Sequence, residues 1–281
     1  MSIPFIDLQT QRARLQAGID RRLSEIMAHG RFILGPEVTE FETALAAFGN
    51  AERVVSCANG TDALILPMMA WEIGVGDAVF CPSFTYCATA EAIALLGATP
   101  VFVDIDRQTY TLDPDSLRQA VRETRDRGGL TPRAIISVDL FGQPADYPAV
   151  SKIAKVEGLK LIADSAQGFG CTLEGRQPLD WSDVATTSFF PAKPLGCYGD
   201  GGAILTNDSE LADQLVSLRF HGRSDVPGDT ARIGLNSRLD TIQAGVLLEK
   251  LSIFSDEIAA RNRIAARYAA ALAGHVSRIP A

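Results

Sequence analysis

The sequence predicts an α/β domain: a mostly parallel sheet with helices on both faces. Three observations carry that expectation. Short β-branched runs alternate with helix-period segments as far as Asp164, and such alternation needs crossovers that lay helices over a parallel sheet. The 281 residues are 47% hydrophobic and 21% charged, enough apolar mass for a sizeable core. No internal repeat or low-complexity tract interrupts the rhythm.

The N-terminal segment turns amphipathic at once, as an arm and helix. Strands are expected over 54–57, 78–81, 100–103, 134–138 and 159–163. Helices are expected over 63–73, 89–96, 114–125 and 147–157. Asp113-Pro114 marks a helix start, since Asp caps free N–H groups and Pro is pre-set for the first turn. After Asp164 a glycine-rich stretch, 168–175, leads to a strand over 184–190. The loop PAKPLGCYGDGG and a strand over 203–206 follow. Asn207-Asp208-Ser209 can cap a helix over 210–219. Two long helical patterns, 237–251 and 255–273, close the chain. We expect a large domain over 1–254 and, over 255–281, a helix leading into a C-terminal small domain that is largely absent.

The balance of 26 basic against 34 acidic residues gives a net charge of −8. That sign opposes non-specific binding to nucleic acid or an anionic membrane. No run approaches the ~18 uninterrupted apolar residues of a membrane span. The N-terminus lacks the basic and apolar regions of a secretory signal. Five cysteines without CxxC spacing read as reduced thiols of a cytoplasmic protein. Three histidines without paired spacing argue against a metal site.

Several segments carry candidate chemistry. Asn59-Gly60-Thr61 ends a strand and opens a helix, where free N–H groups and a partial positive charge suit a phosphate. An ordinary turn capped by Thr61 is the competing reading. Asp164 closes a buried apolar strand at the sheet edge where open α/β sheets bind ligands. It could hold a protonated ring nitrogen, with Gln167 reaching a neighbouring ring oxygen, or it could simply cap a helix. Lys193 lies in the apolar, proline-bounded loop Ser188-Phe-Phe-Pro-Ala-Lys-Pro, where desolvation would make its amine a Schiff-base candidate. A solvated surface lysine is the alternative. Tyr86 could stack on a flat ring or belong to the core. Asn236 and Arg238 stand at the start of the 237–251 helix, where Asn236 or Ser237 could equally be a cap.

These pieces, in this order, resemble the DegT/DnrJ/EryC1/StrS sugar-nucleotide aminotransferases, fold-type-I enzymes that use pyridoxal phosphate (PLP). The resemblance runs from Phe5 to the end of the chain. It is most specific in CANGTDAL (57–64), PSFTYCATAEAIALLGATPVFVDID (82–106), ADSAQGFG (163–170), SFFPAKPLGCYGDGGAILTND (188–208) and LNSRLDTIQA (235–244). It implies the PLP-transferase large-domain fold, with Lys193 as the cofactor-bearing lysine. It also implies Asp164 on the pyridine nitrogen, Gln167 on the ring hydroxyl and Tyr86 against the ring. Gly60, Thr61 and Ser188 would hold the phosphate, with Asn236 reaching it from a partner subunit. That last role implies a homodimer with shared sites, and Arg238 would lie near the sugar nucleotide.

The implied reaction moves an amino group from L-glutamate to a keto-sugar nucleotide, in a ping-pong cycle. The wording of 188–203 and of RFILGPEV (31–38) is most similar to enzymes that aminate C3 of a UDP-2-acetamido-2-deoxy-3-keto-hexuronate for O-antigen lipopolysaccharide. Two departures are visible. Family members continue into a C-terminal domain beyond this point, which keeps a truncated, non-catalytic PLP-binding or regulatory module as an alternative. Ser165 replaces the alanine or other small residue more usual there. A PLP-dependent sugar dehydratase is a further alternative, although that branch has histidine where this chain has Lys193.

Overall fold

The computed structural model describes residues 6–224, 226, 228–277 and 279. Two helices precede the first strand: α1 (Leu8–His29) and α2 (Pro36–Gly49). Asp7 caps α1, accepting from the N–H groups of Gln9 and Thr10. Pro36 occupies the first turn of α2, where a missing N–H costs nothing. The α2 helix was not expected; Gly35-Pro36 was its available signal.

From there the predicted alternation appears. The chain runs β1 (Arg53–Cys57), α3 (Gly60–Ala70), β2 (Asp77–Pro82), α4 (Ala88–Leu95), β3 (Thr99–Val103), α5 (Pro114–Arg127), β4 (Thr131–Val138), α6 (Tyr147–Glu157) and β5 (Lys160–Asp164). Then follow β6 (Val184–Ser188), β7 (Gly202–Thr206), α7 (Ser209–Leu218), α8 (Thr241–Leu251) and α9 (Phe254–Leu272). Among the described residues no helix is long and apolar enough to cross a membrane.

The seven strands form one sheet in the order β1-β7-β6-β5-β4-β2-β3, with β7 antiparallel to both its neighbours and every other pair parallel. Because β7 reverses twice, the other six strands all end on one edge. The register aligns Cys57, Gly202 and Ser188 in one row, and places Asp164 opposite Thr186. Asp164 and Ser188 thus arrive at the same edge from adjacent strands.

Alternate residues feed the two faces, as a period of two requires. Ile136, Ile162, Val184 and Ile204 pack with α3, α4 and α7 on one side. Ala163, Ala185 and Leu205 pack with α2 and α8 on the other, beside a cluster where Ile135 and Leu161 meet α5 and α6.

Of the boundaries that differ from expectation, two lie beside the sheet edge and have a visible cause. The strand expected to reach Phe190 stops at Ser188, whose Oγ accepts from the Phe190 N–H at 3.3 Å, while the chain turns away through Pro191. The helix expected from Ser237 begins at Thr241. Neither Asn236 nor Ser237 caps it: the Ser237 hydroxyl accepts from Ala58 N–H (3.1 Å) and donates to Asp62 (2.6 Å), a tertiary link that keeps residues 237–240 extended against α3.

Phe41 on α2 is fully buried and meets Phe189, just past β6, edge-on at 5.3 Å. Phe41→Ala should therefore lower unfolding stability by about 3–5 kcal/mol through lost burial and a residual cavity. Urea unfolding measures this loss directly.

Candidate active site

A cavity of about 1090 Å³ opens at the edge where the parallel strands end. Seven of the nine predicted residues line it: Gly60, Thr61, Tyr86, Asp164, Gln167, Ser188 and Lys193. The remaining two, Asn236 and Arg238, do not. They line a smaller cavity of about 530 Å³, and Asn59 and Asp200 belong to the walls of both. There the Arg238 guanidinium lies 4.6 Å from the centre of the Phe220 ring and donates to the Asn236 side chain.

Local structure explains how the lysine reaches the cavity. Beyond β6 the chain curls into a turn closed by Lys193 N–H to Phe190 O (2.8 Å) and Cys197 N–H to Phe189 O (2.7 Å). A Cβ at Gly196 would stand 2.5 Å from the Pro191 carbonyl oxygen, so only glycine lets the turn fold back so tightly. Lys193 is half-buried, with Nζ 5.8 Å from the centre of the Tyr86 ring. Tyr86 is 64% exposed, which rules out a core role.

Asp164 is buried. Its Oδ1 accepts from Ala166 N–H at 3.1 Å and its Oδ2 from Thr89 Oγ1 at 3.4 Å. Burial raises its pKa above the ordinary carboxylate value; the Ala166 N–H, the Lys193 charge and Thr89 pull the other way. A cation delivered to this carboxylate would relieve its desolvation. Gln167 lies beside it, and its Oε1 is taken by the Phe141 N–H at 3.0 Å. An N–H can bond only the oxygen end of the amide, so the Gln167 NH₂ is the end left to donate.

At the opposite wall, α3 starts under Ser188. Asn59, not Thr61, caps the helix, accepting from Asp62 N–H at 2.8 Å. Thr61 is thereby released from capping. The N–H groups of Gly60 and Thr61 lie in the first turn, which lacks intrahelical acceptors. A Cβ on Gly60 would come within 2.6 Å of the Ser188 Cβ. Glycine thus lets β6 and α3 close into a cradle of backbone donors and hydroxyls, the chemistry that holds a phosphate.

Some participants were not foreseen. Asp139, at the end of β4, accepts from Ser165 Oγ (2.5 Å), Tyr147 OH (2.8 Å) and Ala145 N–H (3.2 Å). Burial pushes its pKa up to about 7. The signal was present, an acid ending an apolar strand just as Asp164 does. Thr89 inside α4 and the Gln11–Glu257–Arg261 chain, which ties α1 to α9 at the cavity wall, had no comparable signal.

Similarity to known proteins matches this arrangement. The model of the DegT/DnrJ/EryC1/StrS aminotransferase family matches residues 14–280. The chain is 53% identical over 268 residues to the UDP-2-acetamido-2-deoxy-3-oxo-D-glucuronate aminotransferase of Pseudomonas aeruginosa, covering 95% of this chain and 72% of that protein. A DegT DnrJ EryC1 StrS aminotransferase from Brucella abortus superposes with a TM-score of 0.96 at 53% identity, over 97% of this chain and 73% of that one. The structure of ntda from Bacillus subtilis with bound cofactor PMP superposes with a TM-score of 0.88 at 32% identity, over 97% and 61%.

The Asp139 network sets a pH dependence. Its folded-state pKa lies above the unfolded value, so the native state binds the extra proton and is favoured at low pH. That contribution is complete below about pH 4 and is lost as pH rises to about 7. Asp139→Asn should remove this slope, which urea midpoints collected across that range would reveal. Parallel slopes in the two proteins would contradict the assignment.

Proposed function

The chain belongs to the DegT/DnrJ/EryC1/StrS aminotransferase family, and from that membership we propose that it transfers the amino group of L-glutamate to C3 of a UDP-2-acetamido-2-deoxy-3-keto-hexuronate. It is a sugar aminotransferase that uses pyridoxal phosphate. The 53% identity to an aminotransferase of that 3-oxo-glucuronate supports the substrate.

One observation carries the reading. A half-buried lysine, a buried carboxylate and a glycine-opened anion cradle line one cavity at one sheet edge. Those donors fit the cofactor. The space a Cβ would fill at Gly60 admits Ser188 beside the α3 N-terminus, suiting the phosphate. The burial that raises the Asp164 pKa destabilises its carboxylate, a cost that a positively charged ring N–H would offset. Lys193 would tether the group, and Tyr86 would pack against it.

When bound, PLP supplies an electron sink that labilises a proton on the carbon bearing the amine. The residues of the chain do the rest. Asp164 would hold a proton on the ring nitrogen, the state in which that sink is strongest. The Gln167 NH₂, its orientation fixed by Phe141 N–H, would donate to the ring oxygen. The Lys193 amine would serve as the general base that takes the proton and returns it. Its turn, closed at both ends by backbone hydrogen bonds, keeps Nζ on the cavity side.

Further readings extend this proposal. Asn236 and Arg238, facing the smaller cavity, would serve a partner's site in a homodimer, with Asn236 on its phosphate and Arg238 near its nucleotide sugar. The enzyme would work in the cytoplasm on precursors of O-antigen lipopolysaccharide. Residues 1–254 would form the cofactor domain, and 255–281 the lead into a small domain.

Protein supplied with PLP, L-glutamate and the UDP-linked 3-keto-hexuronate should yield 2-oxoglutarate and the 3-amino sugar. Borohydride should fix the cofactor on the peptide containing Lys193, and Lys193→Ala should lose both label and turnover. Asp164→Asn should lower kcat roughly a hundred- to a thousand-fold, the equivalent of a ring-nitrogen pKa shift of about two to three units. A label that survives Lys193→Ala removes the central assignment.

A further inference from the structure

Lys250, on α8, is 2% exposed, and among the described residues no carboxylate lies within ion-pair distance of it. Its Nζ donates to the Gly196 carbonyl at 2.6 Å and stands 4.4 Å from the centre of the Tyr198 ring. A buried ammonium without a counter-ion is costly, and a methionine of similar shape would fill the space without that penalty. Burial depresses its pKa to about 8. The titratable groups facing it are the Cys197 thiol and Glu257.

What the ammonium holds gives it a purpose. Gly196 is the pivot of the turn that carries Lys193 and lines the main cavity. A second cation reaches the same turn from α9, where Arg261 donates to the Pro194 carbonyl at 3.2 Å. Backbone hydrogen bonds close the turn at Lys193 and Cys197, and Lys250 supplies the side-chain hydrogen bond that fastens its Gly196 carbonyl to the domain body. We propose that Lys250 is a positioning residue, an ammonium clamp on the Gly196 carbonyl that holds the Lys193 turn in its working conformation. The clamp's catalytic consequence rests on the assignment of Lys193 made above; its mechanical part does not.

The test compares K250M and K250R with the wild-type holoenzyme by amide hydrogen exchange, thermal unfolding and steady-state kinetics. In K250M the amides of Lys193 and Cys197 should exchange about tenfold faster or more, as loss of a charged hydrogen bond implies, while β6 and α8 keep their protection. Misplacement of the amine should cut kcat roughly ten- to a hundredfold with KM for L-glutamate little changed. K250R, which keeps a charged donor, should recover part of both. Wild-type exchange and kcat in K250M would overturn the clamp. So would failure of K250M to fold, or an even loss of protection through β6, β7 and α8 that arginine does not repair, since each makes Lys250 a general support of the core. Absence of amino transfer by the wild type would count against the proposed function alone, leaving the exchange experiment to decide the clamp.

Discussion

The carboxylate of Asp164 has been taken out of water and, among the described residues, no salt bridge holds it; the Lys193 charge offsets the desolvation only in part. Everything around it follows from that constraint. The parallel strands must end together so that the acid faces a cavity rather than a packed layer, and β7 achieves this by running against both its neighbours. A carboxylate closed in by core would have to neutralise or find a partner within the protein. Facing a cavity, it can wait for a cationic ligand. The desolvation cost of the carboxylate is then relieved when a protonated nitrogen arrives.

Close backbone approach is the second requirement, and it explains glycines that local turn preferences leave unexplained. Gly60 admits the Ser188 side chain, and Gly202, at the start of β7, would set a Cβ 2.4 Å from the Asn59 carbonyl. Neither position has the left-handed backbone that favours glycine; both exist because α3 must start hard against the β6–β7 edge. The two glycines bring the helix N-terminus, its free N–H groups and the Ser188 hydroxyl to one point. Shifting the helix outward by the width of a methyl group would leave the same residues in the same order and no cradle.

Sequence patterns exposed the alternation of strands and helices because each element has its own period, and the six parallel-running strands were legible for that reason. Asp164, Ser188 and Gly60 were legible as residues that end apolar strands or open helices. The reassignment of the cap from Thr61 to Asn59 was not, since both are competent caps two residues apart and only the Asn59–Asp62 geometry separates them. Ser237 misled for a related reason. A serine before a helical pattern reads as a cap, whereas its hydroxyl is committed to Ala58 and Asp62, far away in sequence. Lys250 was invisible because a lysine inside an amphipathic helix reads as solvated surface. Such partners are fixed by the tertiary fold and leave no periodic trace.

Asp139 and Asp164 show how one sheet edge separates structure from chemistry. Each ends a parallel strand, each is buried, and each is raised in pKa first by desolvation. An ionised carboxylate offers about four acceptor positions. On Asp139, three are filled by Ser165, Tyr147 and Ala145, all within 3.2 Å. On Asp164, one backbone N–H and a 3.4 Å contact from Thr89 are the bonds the protein supplies. The first acid has most of its acceptor positions filled, lies outside the cavity lining and braces the Ser165 segment; the second retains more acceptor capacity and lines the cavity. The Asp164 charge adds a small upward push to the Asp139 pKa, so a cation at Asp164 is felt by the Asp139 network as well. The turn from Asp164 to Gln167 is thus braced by an acid outside the cavity wall and completed by one that lines it.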